Sequence, residues 1–252
     1  MRKVIYIICL VAFLGCDSEN AWDCFQKSGE IIDQEFNVGS AYKTIQIWER
    51  VQLILIKGET ERVVIQTGEN LMNEIQVKVE DSILKVSDRN SCNYTRDYGI
   101  TKVFVTTNKN ILKIRNSSGL TVENRGELRF EELELVSEDP DNTDLYHHDG
   151  DFRLDSLNVG RLKIRANGLS NFYLNGRAGF ANFRLSDGDS RIEAADLTIE
   201  GLFFFHRGTN KMIVNPENSI RGTISSIGDV ISKNRPPIVE VEELFSGRLI
   251  FE

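Results

Sequence analysis

Glycine recurs every twenty residues in the C-terminal half of the chain, at Gly168, Gly188, Gly208 and Gly228. Each glycine lies in a short turn, with one apolar run before it and another after it. A constant period of this length predicts a solenoid, because so small a unit cannot bury its own apolar face and must stack on the next. Gly150 begins an earlier, less regular copy. We therefore predict that these five glycines are structural turn residues.

Strand signals extend over almost the whole chain. Short alternating runs rich in Val, Ile, Leu and Phe begin at residue 44, and no segment has the apolar spacing of a long helix. We predict an all-β fold: a right-handed parallel β-helix-like solenoid with coils of about 20 residues, preceded by a β-rich N-terminal region. That region is either a separate domain or the first coils of the solenoid. The predicted divisions are an N-terminal β region at 30–115, solenoid repeats at 116–235 and a C-terminal capping strand at 236–252.

The N terminus has the pattern of an export signal. Two basic residues at 2–3 precede an apolar core at 4–14, which is too short to span a membrane as a helix. Phe13-Leu14-Gly15-Cys16 resembles the lipobox of bacterial lipoproteins, which implies lipidation of Cys16 and anchoring by acyl chains. An ordinary secretory signal is the alternative. We expect a cell-envelope protein at the outer membrane, with surface exposure left open, and assign a signal peptide to 1–15 and a tether to 16–29.

Cysteine content and charge limit the other classes. Cys24 and Cys92 remain once the signal and Cys16 are set aside, and an even pair in an exported protein predicts a disulfide. Structural zinc needs about four ligands, so we predict no metal and no cofactor. The formal net charge of −8 argues against nucleic acid as a partner.

The run Phe203-Phe204-Phe205-His206-Arg207 is the most unusual segment of the chain. In a strand, Phe203 and Phe205 point to one face and Phe204 to the other. A ring on the outer face would offer a sugar or a protein partner a stacking surface. We take Phe204, His206 and Arg207 as a candidate binding surface, with packing inside the fold as the alternative.

Three further patterns have functional interpretations. Paired aspartates around glycine, at 149/151 and 187/189, would serve as acid and base on a glycan or hold calcium, but aspartate also favours turns because its side chain bonds nearby amides. His147-His148-Asp149 would serve as a metal site or as a base, but a solvated surface loop is the favoured interpretation. Arginines close to the glycine period would form a ladder for carboxylated glycans, or only solvated ion pairs, at Arg191, Arg207 and Arg221.

Near the C terminus, Ser226-Ile227-Gly228-Asp229-Val230 is followed by Asn234-Arg235-Pro236. Together with the glycine turns, this segment resembles the head GIN-domain family of adhesins, which is common among Bacteroidetes lipoproteins. The resemblance spans residues 35–235 and departs from the family in the turns, where Asn167-Gly168-Leu169-Ser170 replaces a Ser-Gly-Ser-Gly tract. It implies an all-β, parallel β-helix-like fold and an adhesive role, and it supplies no catalytic residues.

These observations predict a non-catalytic envelope lipoprotein that binds a glycan or a protein surface. Its membrane contact is expected through the lipid anchor, and its oligomeric state is left open. One alternative is a polysaccharide lyase or hydrolase, since parallel β-helices also carry such enzymes. Another is a purely structural envelope protein whose sheet edges pair with copies of itself.

Overall fold

A computed structural model describes residues 26–39, 41–90, 96–138 and 147–252. Seventeen strands join in one sheet, and a short 3-10 turn covers Met72–Glu74, so the predicted all-β class is confirmed. Cys16, Cys24 and Cys92 lie outside the described residues, together with the predicted lipidation and disulfide. In the described segments, no helix has the length and apolarity to cross a bilayer. The strands are β1 (Ile31–Phe36), β2 (Thr44–Trp48), β3 (Gln52–Lys57), β4 (Arg62–Gly68), β5 (Ile75–Glu80), β6 (Ile83–Asp88), β7 (Lys102–Thr107), β8 (Lys113–Ser117), β9 (Val122–Arg125), β10 (Leu128–Ser137), β11 (Phe152–Ala166), β12 (Asn171–Leu185), β13 (Arg191–His206), β14 (Met212–Ile224), β15 (Val230–Ser232), β16 (Ile238–Glu243) and β17 (Leu249–Phe251).

Strands β11 to β14 form the regular part of the sheet. Each pairs in parallel with the next, starting from Phe152 beside Phe172, Asn171 beside Arg191 and Ile192 beside Met212. These partners are twenty residues apart, which is the period of the sequence, and after register shifts within the strands the offset ranges from 17 to 21 residues. Equivalent positions of successive repeats therefore stack in columns, one position per strand.

The inward columns form one continuous apolar core. The rings of Phe152 and Phe172 stack with centroids 4.9 Å apart and planes 8° from parallel. Phe183 and Phe204 are also fully buried, and the same core includes Ile45 near the other end of the sheet. Burial of each such side chain stabilises the fold by about 1.5–3 kcal/mol relative to exposure.

The N-terminal strands enter the same ladder out of chain order. β2 lies in parallel between β6 and β8, and β3 lies in parallel between β7 and β9. Antiparallel strands follow at this end: β4 on β7, β1 on β4 and β5 on β6. The hydrogen-bonded ladder thus crosses the predicted boundary at 115/116, which falls inside β8. The division into domains stays a prediction.

The C-terminal tail supplies the last rung. β16 pairs in parallel with β14, and β17 pairs in parallel with β15. The side chains of Leu244 and Phe245 are 66% and 62% exposed, and Val239 at the end of an inward column is 39% exposed. The segment predicted to cap the stack therefore extends it by one rung and leaves that rung exposed in the described chain.

Candidate functional site

The outward side of β11 to β14 and β16, here called the broad face, carries the most unusual surface. Along β11, Leu162 and Ile164 are fully buried, whereas Lys163 and Arg165 alternate with them and point outward. The strand register extends this alternation through every repeat. The three outward columns are Arg161, Phe180, Gly201, Ser219 and Ile238; Lys163, Asn182, Phe203, Arg221 and Glu240; and Arg165, Arg184, Phe205, Thr223 and Glu242.

Three rings stand in these columns and form what we call the aromatic patch: Phe180, Phe203 and Phe205. Phe180 is 44% exposed and Phe203 is 46% exposed, while Phe205 is half-buried. The ring of Phe180 lies beside Gly201, where an added Cβ would be 3.5 Å from its Cδ2 atom. Exposed apolar side chains that group on one face of a protein are a mark of interaction sites.

Charged side chains surround the aromatic patch. The guanidinium of Arg184 lies 4.8 Å from the centroid of the Phe205 ring, within cation–π range. On one side of the patch, Arg221 Nε donates to Glu240 Oε2 at 2.9 Å. On the other side, the hydrogen bond from Lys163 to Glu132 holds the pKa of that carboxyl below its ordinary value. These pairs are solvent-exposed and add little to stability.

Arg165 is held more tightly than its neighbours. Its guanidinium bonds Glu138 and also reaches Glu134 Oε1 at 3.4 Å. The hydrogen bond to Glu138 raises the pKa of Arg165 above its ordinary value, although partial burial opposes this shift. Arg165 therefore forms ion pairs with Glu134 and Glu138, whereas Arg184 contacts the Phe205 ring.

Two residues of the predicted binding surface lie inside the fold. Phe204 and His206 are both fully buried, so their prediction as surface residues is wrong. The physical reason is register: Phe204 pairs with Phe183 of the preceding strand, which occupies an inward position. Arg207 is exposed in the turn that follows β13. The exposed rings are Phe203 and Phe205, which the alternation had placed on the opposite face.

His206 has a structural role in the turn. Its Nε2 atom lies 2.9 Å from the carbonyl oxygen of Asn210, and its Nδ1 atom is buried and has no hydrogen-bond partner among the described residues. Burial lowers the pKa of His206 below its ordinary value; the contact with Asn210 and the charge of Asp229 oppose that shift. The imidazole is therefore a neutral core group at neutral pH.

The turn glycines stand one above the next. The carbonyl oxygen of Gly168 accepts a hydrogen bond from the Asp189 amide at 2.8 Å, and that of Gly188 accepts one from the Thr209 amide at 3.0 Å. A Cβ on Gly228 would lie 2.8 Å from the carbonyl oxygen of Gly208. Gly150 packs as closely, since a Cβ there would lie 2.6 Å from the carbonyl oxygen of Leu120 and 2.6 Å from Asn116 Nδ2. A Cβ on Gly168 would collide with His148.

Three of the four paired aspartates accept hydrogen bonds, either within their own turn or from the next repeat. Asp187 Oδ1 accepts from the amide of Gly188 at 2.9 Å, and Asp151 Oδ1 accepts from the amide of Asn171 at 2.9 Å. Asp189 Oδ1 accepts from the Thr209 hydroxyl at 2.5 Å. These contacts agree with the interpretation as turn-forming residues. Within the described ranges, no group of three or more His, Cys, Asp or Glu side chains is placed to hold a metal ion.

The remaining predicted groups are scattered over the surface. His147 is exposed, with its Nδ1 atom 3.9 Å from Asp149 Oδ1, as expected for a surface segment. Arg191 stands beside Asn171 in the register and Arg221 beside Phe203, so the two occupy different columns. Arg207 lies in a turn. The three arginines therefore do not form one ladder. Arg191 and Arg221 form ion pairs with Glu193 and Glu240, in agreement with the alternative of surface ion pairs.

Known proteins resemble the chain in sequence pattern and in fold. Residues 41–236 match the family described as "Putative auto-transporter adhesin, head GIN domain". Similar crystal structures include a putative adhesin from Bacteroides fragilis (TM-score 0.78, 19% identity, 90% of this chain and 100% of that chain) and a putative lipid binding protein from Parabacteroides distasonis (TM-score 0.61, 16% identity, 89% and 100%). Another putative adhesin, from Parabacteroides distasonis, has a TM-score of 0.65 at 12% identity and covers 90% and 99%. At these identities the structures establish a shared fold. No curated protein matches the chain. The chain belongs to the head GIN-domain family of putative auto-transporter adhesins.

Proposed function

We propose that the protein is a non-catalytic cell-envelope adhesin that binds a glycan or a protein surface through the aromatic patch. The observation that carries the proposal is the exposure of Phe180 and Phe203 on a face whose other outward positions are mostly charged or polar. In the column of Phe203 the other strands place lysine, asparagine, arginine and glutamate. Flat aromatic rings offer a sugar or an apolar protein side chain a stacking surface that those residues do not.

The family and the fold support this proposal. Family membership favours an adhesive role, and two of the similar structures are described as putative adhesins. We also propose that the chain is a right-handed parallel β-helix-like solenoid. The parallel pairing of β11 to β14, at an offset of twenty residues where the strands begin and 17 to 21 residues beyond their register shifts, supports stacked coils. Such a surface is long and regular, which suits binding of an extended ligand.

Attachment at the cell envelope is part of the proposal. The lipobox resemblance supports lipidation of Cys16, and the family supports a place at the envelope or cell surface. A protease applied to intact cells tests the orientation through a tag placed after Glu252. Loss of the tag is expected for a surface adhesin. Protection until the outer membrane is opened would contradict adhesion and favour a periplasmic binding role.

Binding is tested with the purified full-length mature chain on a glycan array and on immobilised cell-surface proteins. Phe180→Ala and Phe203→Ala are expected to weaken binding about fivefold or more each, because loss of one aromatic contact costs roughly 1 kcal/mol or more. Leu169→Ala is the matched control, since this side chain is apolar and 58% exposed but lies in a turn outside the patch. Equal binding by patch variants and control would contradict the proposal.

A further inference from the structure

A concave surface lies at the N-terminal end of the sheet. One cleft of about 320 Å³ is formed by β2, β5 and β6, and an adjoining cleft of about 630 Å³ shares Glu49 and Arg89 with it. We call the two together the N-terminal groove. The side chains used below are Trp48, Lys78, Lys85 and Arg89 in the first cleft and Arg50 and Tyr98 in the second.

The groove is separate from the aromatic patch. Strand register places Lys78 beside Lys85, and Ser87 between Gln76 and Trp48, all on the outward side. From β6 the ladder passes through β2, β8, β10 and β11 before it reaches β12 and Phe180. Five steps at about 4.8 Å give a separation of roughly 24 Å between the two surfaces.

The charge of the groove is opposite to that of the chain. Four cationic side chains and two carboxylates line it, in a protein with a net charge of −8. Glu80 forms ion pairs with Lys85 at 2.9 Å and with Lys78 at 3.9 Å, and the hydrogen bond from Lys85 lowers the pKa of Glu80. Arg89 is exposed and lines both clefts.

Arg50 is fixed in place by a buried polar network. Its Nη2 atom donates to the carbonyl oxygen of Asn90 at 2.5 Å. Asn90 is in turn held by Asp88, whose Oδ1 atom accepts from the Asn90 amide at 2.9 Å and from its Nδ2 at 2.7 Å. The backbone φ angles of Glu49 and Arg50 are 43° and 64°, in the left-handed region that residues with a Cβ seldom adopt. The two residues form the turn between β2 and β3, and both line the second cleft.

We propose that the N-terminal groove binds an acidic saccharide, a site that is distinct from the adhesive patch. The carboxylate or sulfate group of the sugar is bound by Arg50 and Arg89, since guanidinium groups match the planar geometry of such anions. The sugar ring packs against Trp48 or against Tyr98, which is 65% exposed. A phosphate headgroup of a membrane would use the arginines alone. The aromatic side chains in both clefts therefore favour a saccharide.

Titration calorimetry on the full-length mature chain tests this assignment. The probes are tetragalacturonate, which carries carboxylates, a sulfated chondroitin tetrasaccharide, and maltotetraose as the neutral control. Binding of at least one acidic probe and none of maltotetraose is expected. Arg89→Gln, at an exposed position, should weaken that binding about tenfold or more, as expected for one lost charge-assisted hydrogen bond. Arg50→Gln should weaken it at least as much.

Matched variants separate this site from the aromatic patch. Arg177→Gln removes an exposed arginine of β12 and should leave binding of the acidic probe unchanged, as should Phe203→Ala. The proposal is overturned if neither acidic probe binds, if maltotetraose binds equally well, or if Arg89→Gln and Arg177→Gln have the same effect. Arg89-dependent binding to phosphatidylglycerol vesicles without saccharide binding would overturn it in favour of a membrane contact. None of these outcomes depends on whether Phe203 contacts an adhesion ligand.

Discussion

Alanine substitutions in the glycine column test the stacking of the turns one position at a time. At Gly188 the φ angle is 76°, and a Cβ would lie 2.3 Å from the carbonyl oxygen of Gly168. At Gly228 a Cβ would lie 2.2 Å from the carbonyl oxygen of Asn210. At Gly208 the nearest atom would be 3.3 Å away, on the His206 ring. An added Cβ therefore collides with backbone at Gly188 and Gly228, whereas its nearest contact at Gly208 is a side chain.

The expected magnitudes follow from these contacts. Overpacking against backbone costs about 1–3 kcal/mol, and a left-handed conformation adds about 1–2 kcal/mol for a residue with a Cβ. We expect Gly188→Ala to lower the free energy of unfolding by about 2–5 kcal/mol and Gly228→Ala by about 1–3 kcal/mol. Gly208→Ala should change it by less than about 1 kcal/mol, since only a side chain must move.

Urea and thermal unfolding, followed by far-UV circular dichroism, measure these differences. For a domain of this size each kcal/mol shifts Tm by about 2–4 °C, so Gly188→Ala should lower Tm by about 4 °C or more. The slope of the urea dependence must stay constant for the comparison to hold. Gly208→Ala as destabilising as Gly188→Ala would refute the reasoning, because the two turns would then be equivalent.

Three other predictions follow from burial and pairing. Burial lowers the pKa of His206, so the unfolded chain binds a proton that the folded chain excludes, and stability is lost as the pH falls below about 6.5. In His206→Leu, the free energy of unfolding in urea should therefore depend less on pH between pH 7 and pH 5. An unchanged pH dependence would contradict this. Phe204→Ala should cost about 3–5 kcal/mol while Phe203→Ala costs less than about 1 kcal/mol, and equal losses of Tm would show that the inward and outward faces are misassigned. Mass spectrometry of the mature protein should find Cys24 and Cys92 joined, and two free thiols would exclude the proposed disulfide.

The regular half of the fold could be predicted from sequence because one physical constraint repeats there. The turns stack so closely that a Cβ at position 188 or 228 would meet backbone, so glycine stands there. Because this requirement recurs along the stack of turns, the offset between strands appears in the sequence as a period. The order of the N-terminal strands has no such local signal. β2 and β3 lie between strands that follow them in the chain, which departs from the usual pairing of consecutive elements.

The candidate site could be predicted only in part. Alternation separated Phe204 from its two aromatic neighbours but did not say which side faced the core. Alignment of the repeats would have decided it, because Leu202-Phe203-Phe204-Phe205-His206 corresponds to Leu162-Lys163-Ile164-Arg165-Ala166 through the strand register. The outward positions that hold Lys163 and Arg165 in one repeat hold Phe203 and Phe205 in the other. The N-terminal groove depends on long-range pairing and a buried Asp88 network, neither of which a local pattern reveals.

The central claim, that the aromatic patch contacts the adhesion ligand, is tested most directly by site-specific photocrosslinking. A benzophenone amino acid replaces Phe203 in one full-length chain and Leu169 in another, and each chain is irradiated on cells or glycans that the unmodified protein binds. The account predicts covalent capture of ligand from position 203 and little or none from position 169. Binding of the chain with no capture from position 203, or equal capture from both positions, would contradict it.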